Sequence, residues 1–413
     1  MKNKIHIIGV LALLLYMLLA GNVHEPAAEE PDPNQQKARS SLSVILYNWI
    51  PNLDEYFNTM EGEFESLHPE IDLQIISLPG YYDGLDTTDA DVYEVDESGL
   101  RMLLYADRLQ PIANNEVKDP DDFFPICKDV AIIDGQWWGV PHWTCTNFMF
   151  YHKDDAELAQ VETFSELEKV IGGKNHPVGQ GLLIDMMGIY RCRELYKDTL
   201  MDLYAEDPET MYAYMDENNI DERAIEVEKR IINMMDSGMG RNPQNDKIFD
   251  YLQRQFIYGN GRAFVYYSEA IGYFYKIIED AQGYGDTTVS IDDIAVKAFV
   301  QSDTGKACQP GYVDSFCLDK SLTGQKREDA LKYITWVTSR ETVVHQLAPT
   351  PEFVRYLSPA RLSIYTDPNL LKIAPLYEQL LPIMEIARYF PPPEDWDWAP
   401  GLEAKLEGIL PTN

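Results

Sequence analysis

The segment Leu42-Ser43-Val44-Ile45-Leu46, with the three segments that follow it, decides the fold. Its apolar side chains alternate along the chain, as is typical of a strand. Residues Leu53 to Leu67 are amphipathic, carry two acidic residues in the first turn and stop before a proline, which predicts a helix. Ile71 to Ile76 and Asp91 to Asp96 predict two further strands. Strands that alternate with helices predict an α/β fold with a mostly parallel sheet.

The ends of these strands indicate where a ligand would bind. In parallel α/β sheets, ligands bind outside the carboxyl ends of the strands. Tyr47 follows the first predicted strand, and Asp96 ends the third. Both residues are therefore expected on the ligand side. Asp96 could instead be only the N-cap of the next helix, because Asp is among the preferred capping residues.

Two later strands also carry acids. Gly261 to Glu269 predicts a strand that ends in a carboxylate, and Gly311 to Cys317 predicts a strand that carries Asp314. Tyr312 and Asp314 are two positions apart, so their side chains share one face of that strand. Each segment also has an interpretation without a function. Glu269 could be a helix cap or a surface acid, and Gly311 to Cys317 could be an ordinary edge strand. Between the early and late strands, Thr163 to Glu166 predicts the capping box of a helix.

Cys145 is the candidate nucleophile. It lies in Gly139-Val140-Pro141-His142-Trp143-Thr144-Cys145-Thr146-Asn147-Phe148-Met149-Phe150-Tyr151, where aromatic residues stand on both sides of the thiol. This setting suits a reactive thiol in an aromatic-lined cleft. The alternative is a small buried hydrophobic residue, which is how a free cysteine usually behaves.

Composition excludes some partners. The 413 residues carry a formal net charge of -34, so the chain lacks the clustered Lys and Arg that nucleic acid and anionic membranes require. At the N-terminus, Lys2 and Lys4 precede a short apolar stretch from Ile5 to Ala20, which predicts a cleaved export signal rather than a stable membrane anchor. We therefore expect a secreted or extracytoplasmic protein.

The cysteines and histidines do not predict a metal site. There are five cysteines, an odd number, so at least one thiol is expected to be free or paired between chains. No Cys-x-x-Cys pair and no His-Glu-x-x-His spacing occurs. We expect no metal and no cofactor.

From about Leu42 to near the C-terminus, the order and spacing of these motifs resemble thiaminase I (thiamine pyridinylase). The most specific element is Trp138-Gly139-Val140-Pro141 followed by Cys145-Thr146-Asn147 and Phe150-Tyr151. The resemblance implies a two-lobed type II periplasmic-binding-protein-like fold, each lobe a mostly parallel sheet flanked by helices, with a cleft between the lobes. It also implies a transferase that displaces the thiazole of thiamine by a nucleophilic base (an amine, pyridine or thiol), through a covalent Cys–pyrimidine intermediate.

The resemblance implies roles for particular residues. Cys145 matches the nucleophile and Glu269 the general base. The substrate-binding residues are matched by two acids and four tyrosines: Asp96, Asp314, Tyr47, Tyr82, Tyr267 and Tyr312. The pair His142-Trp143 departs from the family pattern, which leaves the shape of the cleft near the nucleophile open. The expected partners are thiamine and a nucleophilic base, and the expected state is a monomer.

The predicted organisation has four parts. Residues 1–21 are the signal peptide and 22–40 a disordered spacer. Lobe 1 comprises residues 41–145 and about 284–345, and lobe 2 comprises residues 146–283 and about 346–413. The alternative function is a non-catalytic extracellular solute-binding protein for a thiamine-like or sugar ligand, which would need neither a thiol nor a base, and the fold alone does not decide between the two.

Overall fold

The computed structural model describes residues 39–80, 82–186, 192–235, 248–304, 308–389 and 400–411. The predicted signal peptide and the predicted spacer up to residue 38 lie outside these ranges. In the described ranges, no helix is both long enough and apolar enough to cross a bilayer. One unit spans Ser41–Asn413 and contains the whole site described below.

The opening strand, helix and strands form where the sequence predicts them. In chain order, the strands of the described ranges are β1 (Ser40–Ile45), β2 (Ile71–Ile76), β3 (Val92–Val95), β4 (Leu109–Gln110), β5 (Ile132–Ile133), β6 (Gln136–Trp137), β7 (Val140–Thr146), β8 (Phe148–His152), β9 (Leu182–Leu183), β10 (Ala263–Tyr266), β11 (Ile294–Ala298), β12 (Gln309–Asp319), β13 (Ser358–Pro359) and β14 (Ala387–Arg388). β1 and β3 run parallel, with Val44 opposite Val92.

Helices cover the predicted regions as well. The α-helices of the described ranges are Leu53–Leu67, Glu97–Tyr105, Pro125–Ala131, Ala156–Ala159, Phe164–Ile171, Cys192–Leu203, Pro208–Ala213, Glu222–Met234, Ile248–Ile257, Ala270–Tyr284, Gly324–Val337, Arg340–Leu347, Leu362–Tyr365, Pro368–Ile373, Tyr377–Glu385 and Pro400–Ile409. The predicted capping box is present: the Thr163 hydroxyl accepts from the Glu166 amide, and the Glu166 carboxylate accepts from the Thr163 amide.

The strands of the described ranges form two principal sheets. The larger has eight strands in the order β13-β7-β12-β3-β1-β2, with β4 and β14 each paired to β12. The smaller has four strands in the order β11-β8-β10-β9. Only Asn147 separates β7 from β8, so the chain passes from one sheet to the other immediately after the segment that holds Cys145.

The direction of the strands corrects one part of the prediction. β12 runs antiparallel to both β3 and β7, and β8 runs antiparallel to both β10 and β11, so the sheets are mixed rather than mostly parallel. The reason is connectivity. Two parallel neighbouring strands need a crossover connection between them, which is usually a helix. Here β7 passes directly into β8 of the smaller sheet, and the chain enters β12 of the larger sheet from the smaller sheet.

Three strands also lie in a different sheet from the one that the predicted lobe boundaries give them. β11 falls in the predicted 284–345 part of lobe 1 but pairs with β8 in the four-stranded sheet. β13 and β14 fall in the predicted 346–413 part of lobe 2 but pair with β7 and β12 in the eight-stranded sheet. The sheet pairing of these three strands thus differs from the grouping predicted from the sequence, because the chain crosses between the sheets more often than the sequence pattern reveals.

The helix Glu97–Tyr105 is seated tightly against β3. Leu100 and Leu103 are both 0% exposed, and burying each side chain contributes about 1.5–3 kcal/mol. Gly99 permits the close approach, since a Cβ at this position would lie 2.9 Å from the Val95 Cβ. This packing fixes the start of the helix, and with it Asp96, at the end of β3.

Candidate active site

Cys145 lies on β7, between β13 and β12 in the larger sheet. Its backbone stands directly opposite Tyr312 of β12, and Asp314 stands opposite Trp143 two positions along. The register shifts after Asp314, which marks a β-bulge. Cys145 is partly exposed, whereas the described structure buries the other four cysteines and leaves all five as free thiols. The candidate nucleophile is thus the most accessible thiol of the five.

Asp96 and Asp314 are joined through Tyr82. The Tyr82 hydroxyl accepts from the Asp96 backbone amide at 2.8 Å and donates to Asp314 Oδ1 at 3.3 Å. Tyr82 has a φ of 61°, which is uncommon for a residue other than glycine and marks a constrained backbone. Three of the predicted binding residues therefore come together although they are far apart in sequence.

Asp96 is also a helix cap. Its Oδ1 accepts from the Gly99 amide at 2.8 Å, so it is the N-cap of the helix Glu97–Tyr105. The capping alternative raised by the sequence is therefore correct, and it coexists with the position of Asp96 beside Tyr82 and Asp314.

Glu269 differs from Asp96 in this respect. It occupies the N-cap position of the helix Ala270–Tyr284 but makes no side-chain capping bond. Its carboxyl group is buried, and Oε2 has no hydrogen-bond partner among the described residues. A buried carboxyl oxygen without a partner is costly. The capping alternative for Glu269 is thus wrong, and this carboxyl group is available for a substrate or for the thiol.

The other predicted tyrosines surround the thiol. The rings of Tyr267 and Tyr312 meet edge to face with centroids 6.0 Å apart. Burial raises the pKa of Tyr47, and Cys145 and Glu269 add to the effect, which places Tyr47 close to both. All eight predicted site residues therefore lie in one cluster, which is formed by residues of β7 and β12 and by residues that follow β1, β2, β3 and β10.

Burial and repulsion between neighbouring acidic groups raise the pKa values in this cluster. Burial raises the pKa of the Cys145 thiol well above its usual range, and the carboxyl groups of Glu269 and Asp314 raise it further. Burial raises the pKa of Glu269 to about 7. Burial and then Asp96 raise the pKa of Asp314. The resting thiol is therefore protonated and sits beside a carboxyl group that titrates near neutral pH.

The sequence analysis missed two charged residues of this cluster. Glu97 follows Asp96 and accepts from the Val313 amide at 3.3 Å, and burial followed by Asp96 raises its pKa to about 8. Lys197 places its Nζ 5.0 Å from the centre of the Tyr312 ring. Burial lowers the pKa of Lys197, but neighbouring acids, first among them Glu194, outweigh burial and raise it. Proximity to Asp96 could have indicated Glu97, whereas no local pattern singles out Lys197.

His142 is one of the two residues that differ from the family pattern. The hydrogen-bond partners of its ring are Glu94 and Gln346, which are not among the predicted site residues. His142 is 1% exposed and lies between two buried polar side chains. Its Nδ1 is 2.5 Å from Glu94 Oε1, and its Nε2 is 2.8 Å from Gln346 Oε1. The ring also contacts the Trp143 ring, with centroids 3.9 Å apart and an angle of 37° between the ring planes. Within the described ranges, no group of three or more His, Cys, Asp or Glu side chains is placed to hold a metal ion.

Comparison with solved structures defines the class of fold. Maltose-bound MalE3 of T. maritima superposes with a TM-score of 0.62 at 15% identity, covering 90% of this chain and 99% of the other. Clostridium botulinum thiaminase I in complex with thiamin superposes with a TM-score of 0.69 at 23% identity, covering 89% of this chain and 97% of the other. The chain has the type II periplasmic-binding-protein fold, as predicted.

Sequence comparison finds a likeness to one family. The model of the Thiaminase-1 domain matches residues 146–283. Thiaminase-1 of Paenibacillus thiaminolyticus is 25% identical over 391 residues, which is 93% of this chain and 90% of that protein. The predicted resemblance to thiaminase I is confirmed.

Proposed function

We propose that this protein is a thiamine pyridinylase, an enzyme that degrades thiamine by transferring its pyrimidinylmethyl group to a nucleophilic base. The observation that carries the proposal is a partly exposed thiol, Cys145, that feels the charge of a buried carboxyl group, Glu269, which caps no helix. A binding protein has no use for such a pair. The extent of the Thiaminase-1 likeness, over 93% of the chain, supports the same function.

The first step would form a covalent bond to Cys145. Glu269 would take the proton from Sγ, because its pKa of about 7 lets it serve as a base near neutral pH. The thiolate would then add to the pyrimidine ring. As the Sγ–carbon bond forms, the electron pair of the ring double bond shifts toward the methylene. The bond from methylene to thiazolium nitrogen breaks, and the thiazole leaves neutral with that electron pair.

The second step would reverse the addition. The nucleophilic base attacks the methylene, the ring double bond reforms, and the Sγ–carbon bond breaks to return the thiolate. Glu269 would return to Cys145 the proton that it took in the first step, and its carboxylate would then accept the proton that an amine or thiol loses after its attack. Atoms and charge balance, since a neutral pyridine takes over the positive charge that the thiazole gave up.

The acids explain why a cation suits the site. Asp96 and Asp314 would grip the amino group and a protonated ring nitrogen of the pyrimidine through charge-assisted hydrogen bonds. The positively charged thiazolium would also lower the free energy of the thiolate next to these carboxyl groups. Binding of thiamine would thus promote the ionisation of Cys145, which burial and the neighbouring carboxyl groups oppose.

The remaining parts of the proposal concern the whole protein. We propose that it is exported by the segment 1–21, that it acts as a monomer, and that its two sheets form the cores of two lobes on either side of the site. The tyrosines Tyr47, Tyr267 and Tyr312 would line the space for the pyrimidine.

The alternative function remains a solute-binding protein. Its support is the likeness to maltose-bound MalE3, which shares the fold at 15% identity. One experiment separates the two. Purified protein is incubated with thiamine and pyridine or aniline, and the products are identified by mass. Free thiazole and the pyrimidinylmethyl adduct of the base are expected, whereas binding of thiamine without any product would support the alternative.

A further inference from the structure

A buried histidine–glutamate pair lies behind the site. Gln346 donates through Nε2 to the Val337 carbonyl at 3.4 Å, which turns its Oε1 toward His142. His142 therefore carries a proton on Nε2. A second proton must lie between Nδ1 and Glu94 Oε1, because two lone pairs 2.5 Å apart would repel. The pair is neutral as a whole, whichever atom holds that proton.

Glu94 links this pair to the binding residues. Its second oxygen, Oε2, accepts from the Tyr47 backbone amide at 2.9 Å. Glu94 lies on β3, two residues before Asp96, and stands opposite Phe316 of β12. The Glu94 carboxylate thereby fixes the chain at the end of β1, next to the end of β3.

His142 links the same pair to the nucleophile. It lies on β7, three residues before Cys145. β12, with Asp314, runs between β3 and β7 in the sheet, so the bond from His142 to Glu94 joins the two strands that flank it. β3, which leads into Asp96, and β7, which carries Cys145, are therefore joined across β12 by a buried side-chain hydrogen bond in addition to the backbone ladder.

We propose that His142 and Glu94 are positioning residues for the proposed thiamine cleavage, holding Tyr47 and the strands of Asp96 and Cys145 in register and keeping the charge behind Asp314 balanced. This inference rests on the proposed function. Neither residue touches the reacting atoms, so both act through the residues they hold.

The charged and titratable groups around His142 and Glu94 determine the effect of removing His142. Glu94 is faced by His142 on β7, by Tyr56 and Tyr333 on two helices, and by Tyr82 and Asp314 at the site. Asp314 is faced in turn by Asp96, Glu94, Glu97 and Tyr82. Loss of His142 alone would leave Glu94 as an uncompensated buried acid beside groups that are already acidic.

The test compares four proteins: wild type, Glu94→Gln, His142→Ala and the double variant. Gln at 94 can accept from the Tyr47 amide and donate to His142 Nδ1, so it keeps the geometry and removes the charge. We expect Glu94→Gln to stay within about threefold of wild-type kcat/KM. His142→Ala should lose on the order of 10- to 100-fold, mainly in kcat, because the strands lose their link.

The pH profile separates positioning from mere stability. In His142→Ala, the acid limb of kcat/KM that comes from Asp314 should move up by on the order of half a pH unit, because the stranded Glu94 charge makes Asp314 harder to ionise. The double variant removes that charge, so its limb should return to the wild-type pH. His152→Ala, at the far end of β8, is the matched control and should leave the limb in place. Thermal melting of each variant checks folding.

The outcomes are distinguishable. If wild type turns over no thiamine, the proposed function fails. If wild type is active and His142→Ala matches it, the positioning role fails. A uniform loss in His142→Ala with an unmoved acid limb, unrelieved in the double variant, would show that the pair serves stability alone.

Discussion

The backbone of Cys145 stands directly opposite that of Tyr312 in the antiparallel pairing of β7 and β12. The candidate nucleophile and one aromatic wall of its site are thus held in register by the sheet rather than by a loop. Residues on paired strands keep their separation far better than residues on loops. The site is therefore built on rigid elements, as covalent catalysis requires.

Cys145→Ser is expected to abolish turnover and leave the fold intact. A hydroxyl group is a far weaker nucleophile near neutral pH, and the change in volume is small. The rate is measured with thiamine and pyridine, and folding by circular dichroism. Near wild-type turnover in this variant would rule out the covalent step.

A thiol-reactive pyrimidine analogue is expected to label Cys145 alone. Cys127, Cys192, Cys308 and Cys317 are buried, whereas Cys145 is partly exposed, so exposure is what favours labelling of Cys145. Peptide mass mapping after labelling identifies the modified residue. Labelling of any of the other four cysteines at a comparable rate would contradict this expectation.

Glu269→Gln is expected to slow catalysis by on the order of a hundredfold or more, the usual effect of losing a general base. Because burial raises the pKa of Glu269 to about 7, wild-type kcat/KM should fall as the pH drops through that value, where the carboxyl group gains a proton. The variant should lack this limb. An unchanged rate at saturating substrate would mean that another group takes the proton.

Asp96→Asn and Asp314→Asn should each weaken catalysis on thiamine by roughly 1.5–3 kcal/mol, the value of a charge-assisted hydrogen bond. Asn still caps the helix at position 96, so that variant isolates recognition from folding. The loss should be smaller on a pyrimidine substrate without the 4-amino group. Equal losses in kcat/KM on both substrates would mean that these acids do not recognise the amino group.

Asp198→Asn is expected to stabilise the protein above neutral pH. Burial raises the pKa of Asp198 to about 7, so the folded protein holds a proton that the unfolded chain releases near pH ~4. This group therefore costs stability increasingly as the pH rises from about 4 to about 7. The melting temperature of the variant should exceed that of wild type by ~2–4 °C at pH 8 and match it at pH 4. A deficit at pH 8 would contradict the argument.

The sequence predicts elements better than it predicts how they pair. The helix Leu53–Leu67 and the capping box at Thr163 follow from local periodicity and local hydrogen bonding, which the chain carries within a few residues. The antiparallel direction of β12 depends on how the chain travels between sheets, which no local pattern records. The parallel prediction failed for that reason.

The same distinction separates the site residues. Cys145, Glu269 and Asp314 could be predicted because each combines a reactive group with a recognisable strand or motif. Lys197 and Glu94 could not, since their importance comes from side chains more than 40 positions away in sequence, Tyr312 and His142 respectively.

Only one residue, Asn147, connects β7 to β8, so the chain has no flexible linker where it crosses between the sheets. Thr146 is still paired with Gly311, and Phe148 is already paired with Tyr266. Asn147 is itself tied to Asp198 through a hydrogen bond of 2.8 Å. In this segment, a change in the angle between the sheets must be absorbed within two residues of Cys145. The orientation of the Cys145 backbone is thus tied to the angle at which the two sheets meet in this segment.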